Sequence, residues 1–335
     1  MIDFSNTQHL IETMVAERIV PGVNYALIKG AQVFTSTSGF ASIYPQRTQL
    51  SPFAEYDLAS LTKVLATENI LLQLVDQHQL TFDTPLQTFL PEFPDRRIKL
   101  AHLLTHTSGI RGWIPHRNQL SHDELLQAIM QLPVTSEFNT KMRYADTNFI
   151  LLGQVIKVIF GQPIQTVAQM LFNQMGMDHT SFHPRADTCI PTAVLNGTLL
   201  QGIPDDPKAR QLGADCGSAG LFSNMNDLIR FTQGMIGTTS EALPYSQQTV
   251  ASLYENKNPA GVKPRSWGWD LRFDPQDHHS VLLHTGYTGT LMICDRQRQS
   301  GLILLTNRIH PTGHNLIFLA MRAKIINAFL NENHK

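Results

Sequence analysis

Strand-like segments lie at both ends of this 335-residue chain, and the long middle is patterned as helices. Short apolar runs separated by glycine-containing turns predict strands near each terminus. Apolar residues that recur every three or four positions predict one amphipathic helix before the first strand and another after the last strand. The predicted elements are a helix over 7–18, strands over 23–29 and 32–37, strands over 280–284, 291–295 and 302–306, and a final helix over 314–330.

The middle of the chain shows helical periodicity, most clearly over 61–78 and 148–160. Strands from both ends around a helical insertion predict an α+β fold, with one antiparallel sheet built from both termini and flanked by helices. We therefore predict a single domain over 1–335. Its mixed sheet part is 1–59 plus 261–335, and its mainly helical part is 60–260.

The charge balance excludes several classes of partner. Lys and Arg total 26 against 27 Asp and Glu, a net charge of -1, and no basic cluster predicts a nucleic-acid or membrane surface. Cys189, Cys216 and Cys294 are too scattered for a zinc site or a disulfide framework, so reduced thiols are expected. The N-terminus shows no basic region followed by an apolar stretch, and a cytoplasmic location is expected.

Ser60 and Lys63 are the first candidate catalytic pair. Residues three apart on a helix share a face, so the Ser60 hydroxyl and the Lys63 amine can meet. A serine hydroxyl becomes a good nucleophile when a base takes its proton. Lys63 can be that base if its pKa is lowered, and we expect the positive end of a helix to lower it. The alternative is that Ser60 only caps a helix, which leaves a cation unexplained in the unfavourable first turn.

Tyr144 and Asp146 form the second motif. The Tyr144 phenol can donate or accept a proton and is a candidate proton carrier. Asp146 either contacts the substrate or caps the helix predicted from residue 148.

His284, Thr285 and Gly286 form the third motif, at the end of a predicted strand. Gly286 allows backbone or substrate to approach closely. The backbone amide of Tyr287 and that of Ser60 are candidates for the two arms of an oxyanion hole. The alternative is a plain junction between a strand and a turn.

The order and spacing of these motifs resemble those of the penicillin-recognising serine hydrolases. That family includes class C β-lactamases, D-Ala-D-Ala carboxypeptidases, D-aminopeptidases, muropeptide amidases and carboxylesterases. The segment 58–63 resembles their nucleophile segment, and 103–109 and 219–223 with Asp227 resemble further family segments. The resemblance covers nearly the whole chain. It implies acyl transfer through a serine ester on a small-molecule substrate, in a site between the sheet and the helical region, with no metal or organic cofactor.

Two departures from the class C pattern bear on the substrate. Class C enzymes resemble one another in having Lys at the third motif and Asn at the second, where this chain has His284 and Asp146. A fixed cation at the third motif receives a substrate carboxylate, and His284 is expected to be only partly charged near neutrality. Both departures favour an esterase, peptidase or amidase, with Asp146, His284, Thr285 and Gly286 as substrate-binding residues.

Two alternatives within the family remain open: a class C-like β-lactamase, and a penicillin-binding sensor that is acylated but does not turn over. An α/β-hydrolase is excluded because Cys216 occupies the first glycine position of the elbow motif around Ser218. A zinc hydrolase is disfavoured because none of the 14 histidines falls in an H-E-x-x-H motif. His106, His278 and His279 are expected to be surface or loop residues. The sequence thus predicts a serine hydrolase acting on a small ester, amide or peptide.

Overall fold

The two ends of the chain form one seven-stranded antiparallel sheet, with the order β3-β2-β1-β11-β10-β9-β8. The computed structural model describes residues 3–239, 242–313 and 315–333. The predicted α+β architecture is confirmed. The strands of this sheet are β1 (Gly22–Lys29), β2 (Gln32–Ser42), β3 (Thr48–Gln49), β8 (Asp270–Phe273), β9 (Ser280–Thr285), β10 (Leu291–Asp295) and β11 (Ser300–Thr306).

The pairing of β1 with β11 joins the two ends of the chain, with Tyr25 opposite Leu304. Alternate residues of β1 point to opposite faces of the sheet. Tyr25 packs into the core that the sheet shares with the first and last helices, whereas Ala26 packs into the core shared with the helical region. Because both faces are covered, β1 is apolar almost throughout, which is why its sequence shows a continuous run.

The helical part lies between β3 and β8 in the sequence and packs on one face of the sheet. It also contains two short strand pairs, which the helical periodicity did not predict. The helices are α1 (Ser5–Ala16), α2 (Glu68–Asp76), α3 (Leu100–Leu104), α4 (His122–Met130), α5 (Asp146–Phe160), α6 (Ile164–Gln174), α7 (Pro207–Leu212), α8 (Met225–Met235), α9 (Gln247–Ser252) and α10 (Leu316–Glu332); the strand pairs are β4 (Tyr56–Asp57) with β7 (Phe222–Ser223), and β5 (Val194–Leu195) with β6 (Thr198–Leu199).

The helix expected over 61–78 is not one continuous α-helix. A 3-10 turn at Ala59–Leu61 is followed by a π-helical turn at Lys63–Thr67 and then by α2. The Thr67 hydroxyl donates a hydrogen bond to the carbonyl of Gly217 at 2.5 Å, so a neighbouring backbone segment packs against this stretch. Such π turns occur often at functional sites.

Three further observations concern the strand β8, the start of the last helix and the length of the helices. β8 was missed because it is a short edge strand whose Asp270 and Arg272 break the apolar pattern, as edge strands commonly do. The expected start of the last helix, residue 314, lies outside the described residues. Within the ranges that the structure describes, no helix is by itself long and apolar enough to cross a membrane, and α5 with α6 reach that length only as a pair bent by 79°.

Candidate active site

Ser60 sits on a tight turn directly after β4. The residue before it, Ala59, has a positive φ of 46°, a conformation that costs a residue with a side chain about 1–3 kcal/mol. Two contacts hold the turn: the Ala59 amide donates to Asp57 Oδ1 at 2.8 Å, and the Thr62 hydroxyl donates to the Ala59 carbonyl at 2.6 Å. The turn presents Ser60, half-buried, to a cavity between the sheet and the helical part.

The Lys63 side chain is fully buried directly beneath Ser60. Its Nζ lies 2.9 Å from Ser60 Oγ, 2.8 Å from the Ser218 carbonyl oxygen and 2.8 Å from Asp146 Oδ1. A lysine ammonium has three protons and no acceptor, so it can donate to all three of these oxygens, and the Tyr144 side chain is a further hydrogen-bond partner. Lys63 therefore donates to Ser60 Oγ in this state.

The surroundings of Lys63 reverse the pKa shift expected from the sequence. Burial is the largest influence and lowers the pKa of Lys63, but Asp146 and then Tyr144 raise it, and the net shift is upward. The expectation that a helix end lowers this pKa is wrong, because a carboxylate in direct contact outweighs a helix dipole. Lys63 is an ammonium in the resting site and cannot accept the Ser60 proton until it gives one up.

Asp146 is the first residue of α5, and Ala145 is the N-cap, so the capping role considered for Asp146 is wrong. Its Oδ1 contacts Lys63, and its Oδ2 lies 3.1 Å from Lys208 Nζ. Burial raises the pKa of Asp146, but Lys63 and Lys208 together lower it well below its ordinary value. Asp146 is thus a carboxylate that joins two lysines.

Tyr144 lies beside this pair and is 46% exposed to the cavity. Lys63 Nζ lies 5.2 Å from the centre of its ring, and the Arg265 guanidinium carbon lies 5.5 Å from it. The His106 ring packs against the Tyr144 ring, with 4.5 Å between centroids. Two cations, Lys63 and Arg265, therefore lie near the Tyr144 ring, which is exposed to the cavity.

His284, on β9, is buried behind Tyr144 with 6.2 Å between ring centroids. Burial, Arg265 and Lys63 lower the pKa of His284 well below its ordinary value. The expectation of partial charge near neutrality is wrong, because a desolvated imidazole near two cations stays neutral.

β9 ends at Thr285, and Thr285 and Gly286 line the cavity next to the turn that carries Ser60. A Cβ on Gly286 would lie 2.1 Å from Thr290 Oγ1 and 2.5 Å from the Leu58 carbonyl oxygen. Glycine is therefore needed here for the strand to approach the backbone that leads to Ser60. The sequence predicted that backbone or substrate approaches Gly286 closely, and the structure shows that backbone does so. As a result Tyr287, the next residue, lines the same cavity as Ser60.

The cavity has a volume of about 720 Å³ and is lined by every site residue proposed from the sequence except Lys63 and His284. Lys63 lies beneath the floor of the cavity, and His284 lines an adjoining cavity of about 330 Å³. Sequence reasoning missed the charged residues without a motif that line these cavities, and four of them bear on the function proposed for this site. Of the four, only Lys208, a cation in the first turn of a helix, carried a local signal. The four are Lys208, Arg265, Arg308 and Arg322.

His106 and His279 lie in loops, as expected, and their side chains make specific contacts there. His106 is buried and its Nδ1 lies 2.9 Å from the Asn148 side-chain amide, so it fixes the start of α5. His279 lies near Asp274 and Asp277 in a group with metal-ligand geometry. However, its two ring nitrogens contact Asp277 and Asp295, at 2.5 and 2.9 Å.

Comparison with known proteins assigns the family. The model of the family described as Beta-lactamase matches residues 7–322. The chain belongs to the beta-lactamase family. An N-acetylmuramyl-L-alanine amidase of Bacillus subtilis (strain 168) is 26% identical, over 87% of this chain and 78% of its own length. A putative D-alanyl-D-alanine carboxypeptidase of Escherichia coli (strain K12) is 25% identical, over 87% of this chain and 79% of its own.

Several solved structures share the fold of this chain. EstCE1, a hydrolase with promiscuous acyltransferase activity, superposes with a TM-score of 0.78 at 19% identity, covering 97% of each chain. A class C beta-lactamase superposes with a TM-score of 0.79 at 16% identity, covering 98% of this chain and 96% of its own. The resemblance drawn from the motifs is confirmed, and the protein is a serine hydrolase of this family.

Proposed function

We propose that this protein hydrolyses a small ester, amide or peptide through an acyl-enzyme on Ser60. The observation that carries the proposal is the contact of the buried Lys63 ammonium with Ser60 Oγ, at 2.9 Å, on the wall of an open cavity. A buried cation in contact with a serine hydroxyl stabilises the negative charge that the oxygen acquires as it loses its proton.

The geometry favours Tyr144 as the group that first receives the Ser60 proton. Lys63 already carries three protons, each directed to an oxygen, whereas the Tyr144 side chain is exposed to the cavity near cations. Ser60 Oγ then bonds to the substrate carbonyl carbon, the bond to the leaving oxygen or nitrogen breaks, and that atom takes the proton. Water hydrolyses the Ser60 ester by the reverse proton route.

Two arginines favour a substrate that carries a negative charge. Arg308 and Arg322 line the Ser60 cavity, and neither forms an ion pair with a carboxylate of the described residues. Their guanidinium carbons lie 5.5 and 5.7 Å from the centre of the same Phe318 ring. Burial, and then Arg308, lower the pKa of Arg322 to about 10. The charged forms of the two arginines are therefore destabilised in this site, and a bound anion would stabilise them.

Peptides and amides with a free carboxylate fit these features best. The amidase and carboxypeptidase names of the two sequence relatives support wall-derived or D-amino-acid-containing peptides as the first substrates to try. β-Lactam hydrolysis is the second candidate, supported by the class C superposition and opposed by the neutral His284.

Labelling and turnover together test the proposal. Fluorophosphonate should modify Ser60, as mapped by mass spectrometry, and Ser60→Ala should remove both the labelling and all turnover. A panel of p-nitrophenyl esters, D-alanine-terminated peptides, muropeptide amides and nitrocefin then ranks substrate classes. A single burst of product without further release would identify an acylated sensor, and labelling at another residue would end the assignment to Ser60.

A further inference from the structure

Lys208 extends a row of alternating charges that begins at Lys63. Asp146 contacts Lys63 through Oδ1 at 2.8 Å and Lys208 through Oδ2 at 3.1 Å. Lys208 in turn lies 3.0 Å from Asp206. The row therefore runs cation, anion, cation, anion from the floor of the Ser60 cavity to the start of α7.

Local structure does not account for Lys208. It is the second residue of α7, where the helix dipole disfavours a cation. Asp206 already caps this helix by accepting from the backbone amides of Lys208 and Ala209, at 2.7 and 3.2 Å. A lysine in this position normally extends into water, yet the Lys208 side chain is only 14% exposed and reaches Asp146 instead.

We propose that Lys208 is a positioning residue for the reaction at Ser60, which holds one oxygen of Asp146 and so limits how firmly Asp146 retains the proton on Lys63. This inference rests on the proposed acyl transfer at Ser60. A cation on the far oxygen of a carboxylate offsets its negative charge, and it makes the potential at Lys63 and Tyr144 more positive. Loss of Lys208 therefore makes the proton on Lys63 harder to remove, and loss of the Asp146 charge makes it easier to remove.

Other charged and titratable groups also face the row, and the substitutions at Lys208 and Asp146 alter none of these residues. Differences between the pH profiles of variants therefore report the row itself. Around Asp146 and Lys208 these groups are Arg111, Arg117, Arg143, Asp205 and Tyr144, and beyond Tyr144 they are Arg265 and the histidines His106 and His284.

The test compares pH profiles of kcat/KM for p-nitrophenyl acetate, a neutral substrate, between pH 5 and pH 9. In K208M the ascending limb should move to higher pH by roughly one unit, which is about a tenfold loss at a fixed pH on that limb. In D146N it should move to lower pH, and in K208M/D146N it should return towards wild type. K208R keeps the charge and should keep the wild-type limb.

Lys157→Met is the matched control. Lys157 also extends from α5, the helix of Asp146, to a buried carboxylate, that of Asp215 at 2.7 Å, but it lies outside the cavity. K157M should therefore leave the pH profile unchanged, whatever it does to thermal stability.

The pH dependence of Ser60 labelling by fluorophosphonate gives a second readout, which needs no turnover. If Ser60 is labelled in K208M with the pH profile of the wild type, the role of Lys208 is wrong while the proposed function stands. If Ser60 is not labelled and turnover survives Ser60→Ala, the proposed function itself fails. If K208M does not fold, the ascending limb of the D146N pH profile is the test. A shift of that limb to higher pH, or no shift, contradicts the inference.

Discussion

Asp146 Oδ1 lies 2.8 Å from Lys63 Nζ, and the lysine is fully buried while the carboxylate is 28% exposed. This contact joins the second motif to the first and sets the charge of the site. It makes Lys63 an ammonium before any substrate binds, which is the basis for proposing Tyr144, exposed to the cavity, as the first acceptor of the Ser60 proton.

Tyr144→Phe should lower kcat by roughly 10²–10⁴-fold, the usual effect of losing a general acid–base group. The phenyl ring keeps its contacts with His106 and Lys63, so the melting temperature should stay near that of the wild type. Steady-state kinetics with p-nitrophenyl acetate and a thermal melt measure both quantities. Turnover within a few-fold of wild type would show that Lys63 handles the proton without Tyr144.

Asp146→Ala should lower the free energy of unfolding at pH 7 by roughly 3 kcal/mol, because it leaves the Lys63 ammonium buried without its carboxylate. The pKa of Asp146 is lowered in the folded state, so its contribution to stability is complete above its unfolded pKa of about 3.9 and is lost as pH falls. Urea unfolding of both proteins should therefore show a constant difference from pH 6 to 8 and a smaller one near pH 3. A difference that grows on acidification would contradict this assignment.

The ratio of nitrocefin to p-nitrophenyl acetate hydrolysis should not change between pH 8 and pH 6. The pKa of His284 lies well below its ordinary value, so His284 stays neutral over that range and gains no attraction for a β-lactam carboxylate. The measurement is kcat/KM for both substrates at each pH. A ratio that rises tenfold towards pH 6 would show that His284 takes up a proton in the site.

Gly286→Ala should destabilise the fold by about 1–3 kcal/mol and lower kcat, because its Cβ overlaps two atoms next to the nucleophile turn. Thr290→Ala removes one of these atoms, Thr290 Oγ1, but leaves the Leu58 carbonyl oxygen. The double variant should therefore regain part of the lost stability and less of the lost activity. Chemical unfolding of the single and double variants checks this, and an additive effect would mean that the two residues do not clash.

The sequence was sufficient for the architecture and for the hypothesis that Ser60 is the nucleophile. Apolar runs at both ends predict the strands that pair as β1 and β11, since burial on two faces demands such runs. The edge strand β8 escaped prediction because it has only four residues, and its Asp270 and Arg272 interrupt the apolar run that reports burial. The π-helical turn at Lys63–Thr67 was also missed. This turn contacts Gly217, a residue far away in the sequence, and local residue preferences do not report such a contact.

The charges of the site were decided by the tertiary structure alone. The spacing of Ser60 and Lys63 indicates that they meet, but not whether Lys63 is an amine or an ammonium. That depends on Asp146, brought to Lys63 by the start of α5, and on Lys208, brought to Asp146 by α7. The charge of His284 likewise depends on its burial beside Arg265. Periodicity and motif spacing report which residues share a face, whereas protonation depends on desolvation and on charged neighbours contributed by distant segments of the chain.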